Sequence, residues 1–167
     1  LPFENAANDP EIDYLAEGMT ETIMTRLSQL PRLRVMARST VFRYKTGPID
    51  PLEIGRALNV RSVLTGKVVQ RAGMLTIWTE LVNVADGSQF WGERYHRKVT
   101  DLLSLEEEIA REISEKLRIR LSGKEQERLA RSDTKNTEAY QAYLKGRYHW
   151  GKRSESGFKR SIEFFNE

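Results

Sequence analysis

Residues 60–99 read VRSVLTGKVVQRAGMLTIWTELVNVADGSQFWGERYHRKV. Ala72-Gly73 and Asp86-Gly87 are turn dipeptides, and the second is a strong hairpin signal. They divide the stretch into three expected strands, 60–71, 74–84 and 89–99. In the second, Leu75, Ile77 and Leu81 share one face, and Trp78, Val82 and Val84 share the other. In the third, Trp91, Tyr95 and Val99 share a face. Turns this short join antiparallel neighbours, so the stretch is an antiparallel meander.

Helical patterns flank the meander. After it, Thr100 or Asp101 caps a helix running to about Leu121. Its stripe is Leu102, Leu105, Ile109, Ile113, Leu117 and Leu121, and Glu107–Arg111 and Glu112–Lys116 stand at i,i+4 on its outer face. Ser122-Gly123 terminates it. Residues 124–136 are polar and charged, and either extend this helix or link domains. Residues 137–150 and 154–167 form two helices joined by a basic turn.

Before the meander, Asp9 caps a helix that has Pro10 at its first position. Leu15, Met19, Ile23, Leu27 and Leu30 form its apolar stripe, and Pro31 ends it. Residues 32–38 alternate Leu33, Val35 and Ala37 against arginines, which predicts a short strand. Ser39 or Thr40 caps a brief helix carrying Val41, Phe42 and Tyr44. Gly47-Pro48 breaks it, and a helix over 51–58 turns Leu52, Ile54 and Leu58 inward. The fold class is α+β: a mixed, mostly antiparallel sheet packed with helices, followed by a C-terminal helical hairpin.

Composition agrees with a folded domain. The chain has 167 residues and no cysteine. Leu, Ile, Val and Phe make up about a quarter of it, above the roughly 20% below which disorder sets in. The lack of cysteine excludes disulfides, zinc ribbons, thiol nucleophiles and iron–sulfur clusters, but leaves the compartment open. No run approaches the ~18 apolar residues of a membrane span. Net charge is +3, all of it from residues 121–167, too little to make nucleic acid the leading partner.

Motifs of chemistry are mostly missing. His96 and His149 have no second ligand at i+2 or i+4, so no metal site is expected. His96-Arg97-Lys98 is a partial match to a kinase catalytic loop, without its Asp or Asn. Gly146 and Gly151-Lys152 have phosphate-loop spacing, but Arg153 replaces the hydroxyl residue that loop requires. No G-x-S-x-G occurs. Glu106-Glu107-Glu108 reads as a solvated early helical turn matched to the dipole. No catalytic residue and no cofactor is expected.

Two places remain as candidates. Arg38, Ser39 and Thr40 lie where a helix begins, and could hold a small anion through backbone N–H groups, hydroxyls and a guanidinium. Tyr143, Arg147 and Trp150 fall at i, i+4 and i+7 on one helix face, a contact surface for a protein partner. The rings of Tyr140, Tyr148, Phe158, Phe164 and Phe165 nearby are explained by packing between paired helices.

Several segments carry a resemblance. They are Asp13-Tyr14-Leu15-Ala16-Glu17-Gly18-Met19-Thr20-Glu21, then Arg38-Ser39-Thr40 with Tyr44-Lys45, and Leu58-Asn59-Val60-Arg61-Ser62-Val63-Leu64-Thr65-Gly66. Phe90-Trp91-Gly92-Glu93-Arg94-Tyr95 and Leu105-Glu106-Glu107-Glu108-Ile109-Ala110 complete the set. In this order, residues 1–122 resemble the TolB amino-terminal-like α/β domain of multidomain bacterial regulators. Residues 137–167 resemble the start of a tetratricopeptide array, with Ser161 at the small position, Phe165 at the aromatic one and Gly146 at the small position of the first helix. The spacing from Gly146 to Ser161 is about three residues longer than the standard repeat. Residues 123–136 are then a linker or helix extension.

The resemblance implies a non-catalytic regulatory and protein-interaction region of a larger polypeptide. A kinase, a class III adenylate cyclase or a winged-helix domain would precede it, and further repeats would follow. The expected partner is a protein bound through the helical repeats, not nucleic acid. The cytoplasm is favoured over the periplasm.

Overall fold

The computed structural model describes residues 1–30, 32–45, 50–117, 123–130 and 134–167, with the backbone alone at 128–130. The expected breaks at Pro31 and Gly47-Pro48, and the helix end at Leu121-Ser122, lie outside these residues.

The strands form where the turn signals stand. β1 (Glu4–Asn5) is followed, beyond two intervening helical regions, by β2 (Ser62–Arg71), β3 (Met74–Asn83) and β4 (Gln89–Lys98). Sheet order is β1-β2-β3-β4, with β1 parallel to β2 and the other pairs antiparallel. Ala72 (φ 48°) and Gly73 (φ 76°) are both left-handed, as a two-residue turn matching strand twist requires. Register sets Val68 opposite Ile77 and Ile77 opposite Tyr95, and Leu64 opposite Leu81 and Leu81 opposite Trp91. Between Leu81 and Val82 the register shifts and leaves Phe90 unmatched, a bulge.

One sheet face is covered by α1 (Asp13–Ser28) and α4 (Leu102–Lys116). Leu15, Met19, Ile23, Leu102, Leu105, Ile109 and Ile113 meet Val68, Leu75, Ile77, Leu81, Trp91 and Tyr95 in one core. Each such side chain is worth about 1.5–3 kcal/mol when fully buried. The short helices α2 (Arg38–Val41) and α3 (Pro51–Ala57) lie between α1 and β2 in sequence. At Gly55 of α3 a Cβ would stand 2.4 Å from Val84, so glycine allows that helix to seat on Val63 and Val84.

The C-terminal region is helical: α5 (Gly123–Ala130), α6 (Thr137–Gly151) and α7 (Glu155–Phe165). α6 joins the main core. Tyr140 and Leu144 are buried with the α1 and α4 stripes, and a Cβ on Gly18 of α1 would stand 2.7 Å from Leu144. α7 packs on α6: a Cβ on Gly146 would stand 2.3 Å from the Phe165 ring, and Ser161 is fully buried.

Four local expectations are corrected. Residues 33–37 form no strand, because no sheet edge pairs with them; Leu33 and Val35 instead pack against the core. Neither Ser39 nor Thr40 caps α2, because Ala37 holds the extended N-cap conformation and the helix starts at Arg38, with both hydroxyl residues already inside it. Asp101 makes no side-chain cap to α4; a 3-10 turn, Val99–Asp101, leads into that helix. α4 ends at Lys116, with Leu117 as its C-cap, rather than near Leu121; of the two readings of the polar segment, helix is seen over Gly123–Ala130. Among the described residues no helix is long and apolar enough to cross a membrane.

Candidate functional site

Glu17 and Glu21 stand one turn apart on α1, on the side facing α2 and α6. Glu21 Oε1 accepts from Arg38 Nε at 2.5 Å, and its Oε2 accepts from Arg147 Nη2 at 2.6 Å. Glu17 pairs with Lys45 and, at 3.5 Å, with Arg38 Nη2. Arg147 Nη1 also donates to the Tyr143 hydroxyl at 3.0 Å. The two sequence-derived sites therefore meet on one carboxylate. The side chains of both glutamates are mostly buried and those of the cations about half-exposed, so the network orients α2 and α6 more than it stabilises them.

This engagement bears on the anion reading. The Arg38 guanidinium lies between two carboxylates and stacks 4.0 Å over the Phe42 ring. Ser39 is exposed, and its carbonyl accepts from Arg43. A helix of four residues supplies little dipole. The structure thus brings Arg38 to α1 and not toward a shared anion cradle with Ser39 and Thr40.

Tyr143, Arg147 and Trp150 all lie on the exposed side of α6. Tyr143 stacks on Tyr140 and meets the Phe165 ring at a tilt, with centroids 6.5 and 6.2 Å away. Trp150 meets Phe158 edge-on at 5.2 Å. With Phe158, Ile162 and Phe165 of α7 they build an apolar face in which Trp150 is 57% and Ile162 59% exposed. A cavity of about 700 Å³ between α1 and α6 borders this face, with Glu17, Glu21, Tyr143 and Arg147 in its lining.

Beneath it lies a polar group that the sequence reading missed. Glu106 is not a solvated residue of its turn: it is completely buried. The Tyr140 hydroxyl donates to Glu106 Oε2 at 2.8 Å and accepts from Thr22 Oγ1 at 2.6 Å. This chain ties α4 to α6 and α6 to α1. Burial pushes the Glu106 carboxyl up to about 8, against the opposing pull of the Tyr140 hydrogen bond and the Arg26 charge. Burial also raises Tyr140, helped by the Glu106 charge. The signal was present in the spacing: 106 follows 102 by four and precedes 109 by three, which sets Glu106 inside the apolar stripe.

The histidines lie apart. His96 Nδ1 is 3.0 Å from Thr76 Oγ1 on the sheet, and His149 stacks on Phe164 at 5.5 Å. Burial, with Lys152 and Arg160 close by, holds His149 below its ordinary value.

The chain matches no protein-family model. It is 37% identical over 147 residues to "Putative adenylate cyclase 3" of Rhizobium meliloti (strain 1021). That match covers 88% of this chain and 25% of the relative, so the chain spans about a quarter of the relative's length. Two solved structures are distantly similar. The PelC dodecamer from Paraburkholderia phytofirmans shares 18% identity at a TM-score of 0.46, over 71% of this chain and 85% of that one. Lipoprotein GNA1162 from Neisseria meningitidis shares 15% identity at 0.48, over 73% of this chain and 96% of that one. At these scores neither likeness carries an argument.

Proposed function

We propose that this chain is a non-catalytic regulatory and protein-contact region of a larger bacterial signalling protein, and that the α6–α7 face is its contact surface. The observation that carries this reading is the apolar face of Tyr143, Trp150, Phe158, Ile162 and Phe165 on a hairpin anchored to α1 and α4. Apolar surface of this kind, gathered on one face, marks a site of association. The similarity to one quarter of a protein named as a cyclase supports placement beside a signalling effector. In this reading residues 1–122 are the TolB amino-terminal-like unit and residues 137–167 open a tetratricopeptide array. The approach of Phe165 to Gly146 and the burial of Ser161 support that register.

The mechanism is coupling. A partner on the α6–α7 face binds one arrangement of the hairpin better than another, and Glu106–Tyr140–Thr22 and Glu21–Arg147 carry that difference to α4 and α1. Trp150→Ala with Ile162→Ala, introduced into the full-length protein, tests this. The expected outcome is a several-fold change in effector output with the thermal midpoint of the chain within a few degrees of wild type. Unchanged output at unchanged stability would remove the face from the mechanism.

A further inference from the structure

α1 and α4 cover the sheet face that carries Val68, Ile77 and Tyr95. Alternate residues of each strand turn to the opposite face. α3 covers one end of that second face, where Val63 and Val84 lie against Gly55. Toward the Ala72-Gly73 turn the face is open, and its cations stand there in two files. Lys67 and Arg71 lie on β2, and Arg94 and Lys98 lie on β4. Register sets Lys67 and Arg94 on either side of Trp78, and Arg71 and Lys98 on either side of Met74. The files are two strand spacings, about 10 Å, apart, and each runs about 13 Å along its strand.

All four cations are exposed. Arg71, Arg94 and Lys98 make no ion pair with a described residue, and Lys67 lies 3.7 Å from Glu4 at the β1 edge. Glu80, the other acid on this face, stands beyond Trp78 on the side away from Arg71 and Lys98. Residues 1–120 are neutral in sum, so total charge conceals this local excess. Cations gathered on one surface make a positive field that the net charge does not report. Between the files lies a ring: Trp78 is 38% exposed, and the Arg94 guanidinium is 5.2 Å from its centre.

A lipid surface would match the cations, but this face gives it a single large ring to insert. An acidic peptide would match the cations and bring no planar group for Trp78. A single nucleic-acid strand carries both, with phosphates spaced closely enough for more than one to meet each file and bases that stack on an aromatic ring.

We propose that the open face of β2, β3 and β4 binds single-stranded nucleic acid. A base stacks on Trp78, and the phosphates lie against Arg71, Arg94 and Lys98. This face is on the opposite side of the sheet from α1 and the α6–α7 hairpin, and either site can fail without the other.

Fluorescence anisotropy of a labelled decathymidylate, titrated with the purified protein, tests the proposal. Saturable binding is expected, and raising salt from about 50 to about 200 mM is expected to weaken it roughly twentyfold, as three phosphate contacts require. An abasic decamer of the same charge offers no base to stack, and is expected to bind at least about fivefold more weakly. Trp78→Ala is expected to bring the thymidylate down to the level of the abasic strand and to leave the abasic strand unchanged. Arg71→Glu with Lys98→Glu is expected to weaken both strands at least tenfold at an unchanged thermal midpoint. These two residues are exposed and unpaired among the described residues, so this variant reads binding even where Trp78→Ala lowers stability. Absence of saturable binding, or equal affinity for the abasic strand, would overturn the proposal. Binding that survives Arg71→Glu with Lys98→Glu would overturn it too, and would assign the affinity to the cations of residues 121–167. Phosphatidylserine vesicles are titrated in parallel; binding to vesicles and not to either strand would overturn the proposal in favour of a lipid surface.

Discussion

Glu106 is the residue on which the helical layers converge, and its protonation state is testable. Its folded value of about 8 lies above the ordinary carboxylate value. The folded state therefore holds this proton more tightly than the unfolded chain. The contribution to stability is full below the ordinary carboxylate value and is lost as pH rises through about 8. Urea midpoints should fall between about pH 5 and pH 8 through this group, and Glu106→Gln, neutral throughout, should flatten that decline. The linked energy is on the order of a few kcal/mol; parallel curves for the two proteins would contradict the assignment. The burial of this carboxylate was readable from its place in the stripe. What hid it was the Glu106-Glu107-Glu108 run, in which composition argued for solvent and only periodicity argued for the core. The partners, Tyr140 and Thr22, lie 34 and 84 residues away in the chain, and no local pattern joins them to it.

At the scale of elements, the seat of α6 on α1 rests on apolar packing more than on charge. Leu144 is buried over Gly18, whereas Arg147 is half-exposed in its pair with Glu21. Leu144→Ala should cost about 2–4 kcal/mol, and Arg147→Ala less than about 1 kcal/mol. Urea denaturation of the two variants checks this, and the reverse ranking would contradict the packing account. The elements legible in the sequence were those with two agreeing signals. β3 and β4 had alternation bounded by turn dipeptides, and α1 and α4 had stripes over four turns. Residues 32–38 had alternation alone, and tertiary context overrode it, because a strand needs an edge with which to pair. Ser39, Thr40 and Asp101 had the right residue type for a cap, but a cap also needs an extended backbone at that position, which the sequence does not display.

For the whole molecule, the α+β class and the β2-β3-β4 meander were legible, while the parallel edge strand β1 and the integration of the hairpin were not. The polar segment 123–136 reads as a linker or a helix extension, and Tyr140 and Leu144 beyond it enter the same core as Leu15 and Ile109. Removing residues 137–167 should therefore lower the thermal midpoint and expose apolar surface to a hydrophobic dye, because it uncovers Gly18 and the buried Glu106. An unchanged midpoint would mean that the hairpin is an independent unit.

The central claim is that the outer face of α6 and α7 is a contact surface within a larger assembly. Hydrogen–deuterium exchange, comparing this chain alone with the full-length protein that carries it, tests the claim most directly. Slower exchange is expected across residues 137–165 in the full-length protein, with β2–β4 unchanged. Equal exchange in α6 and α7 in both would contradict it.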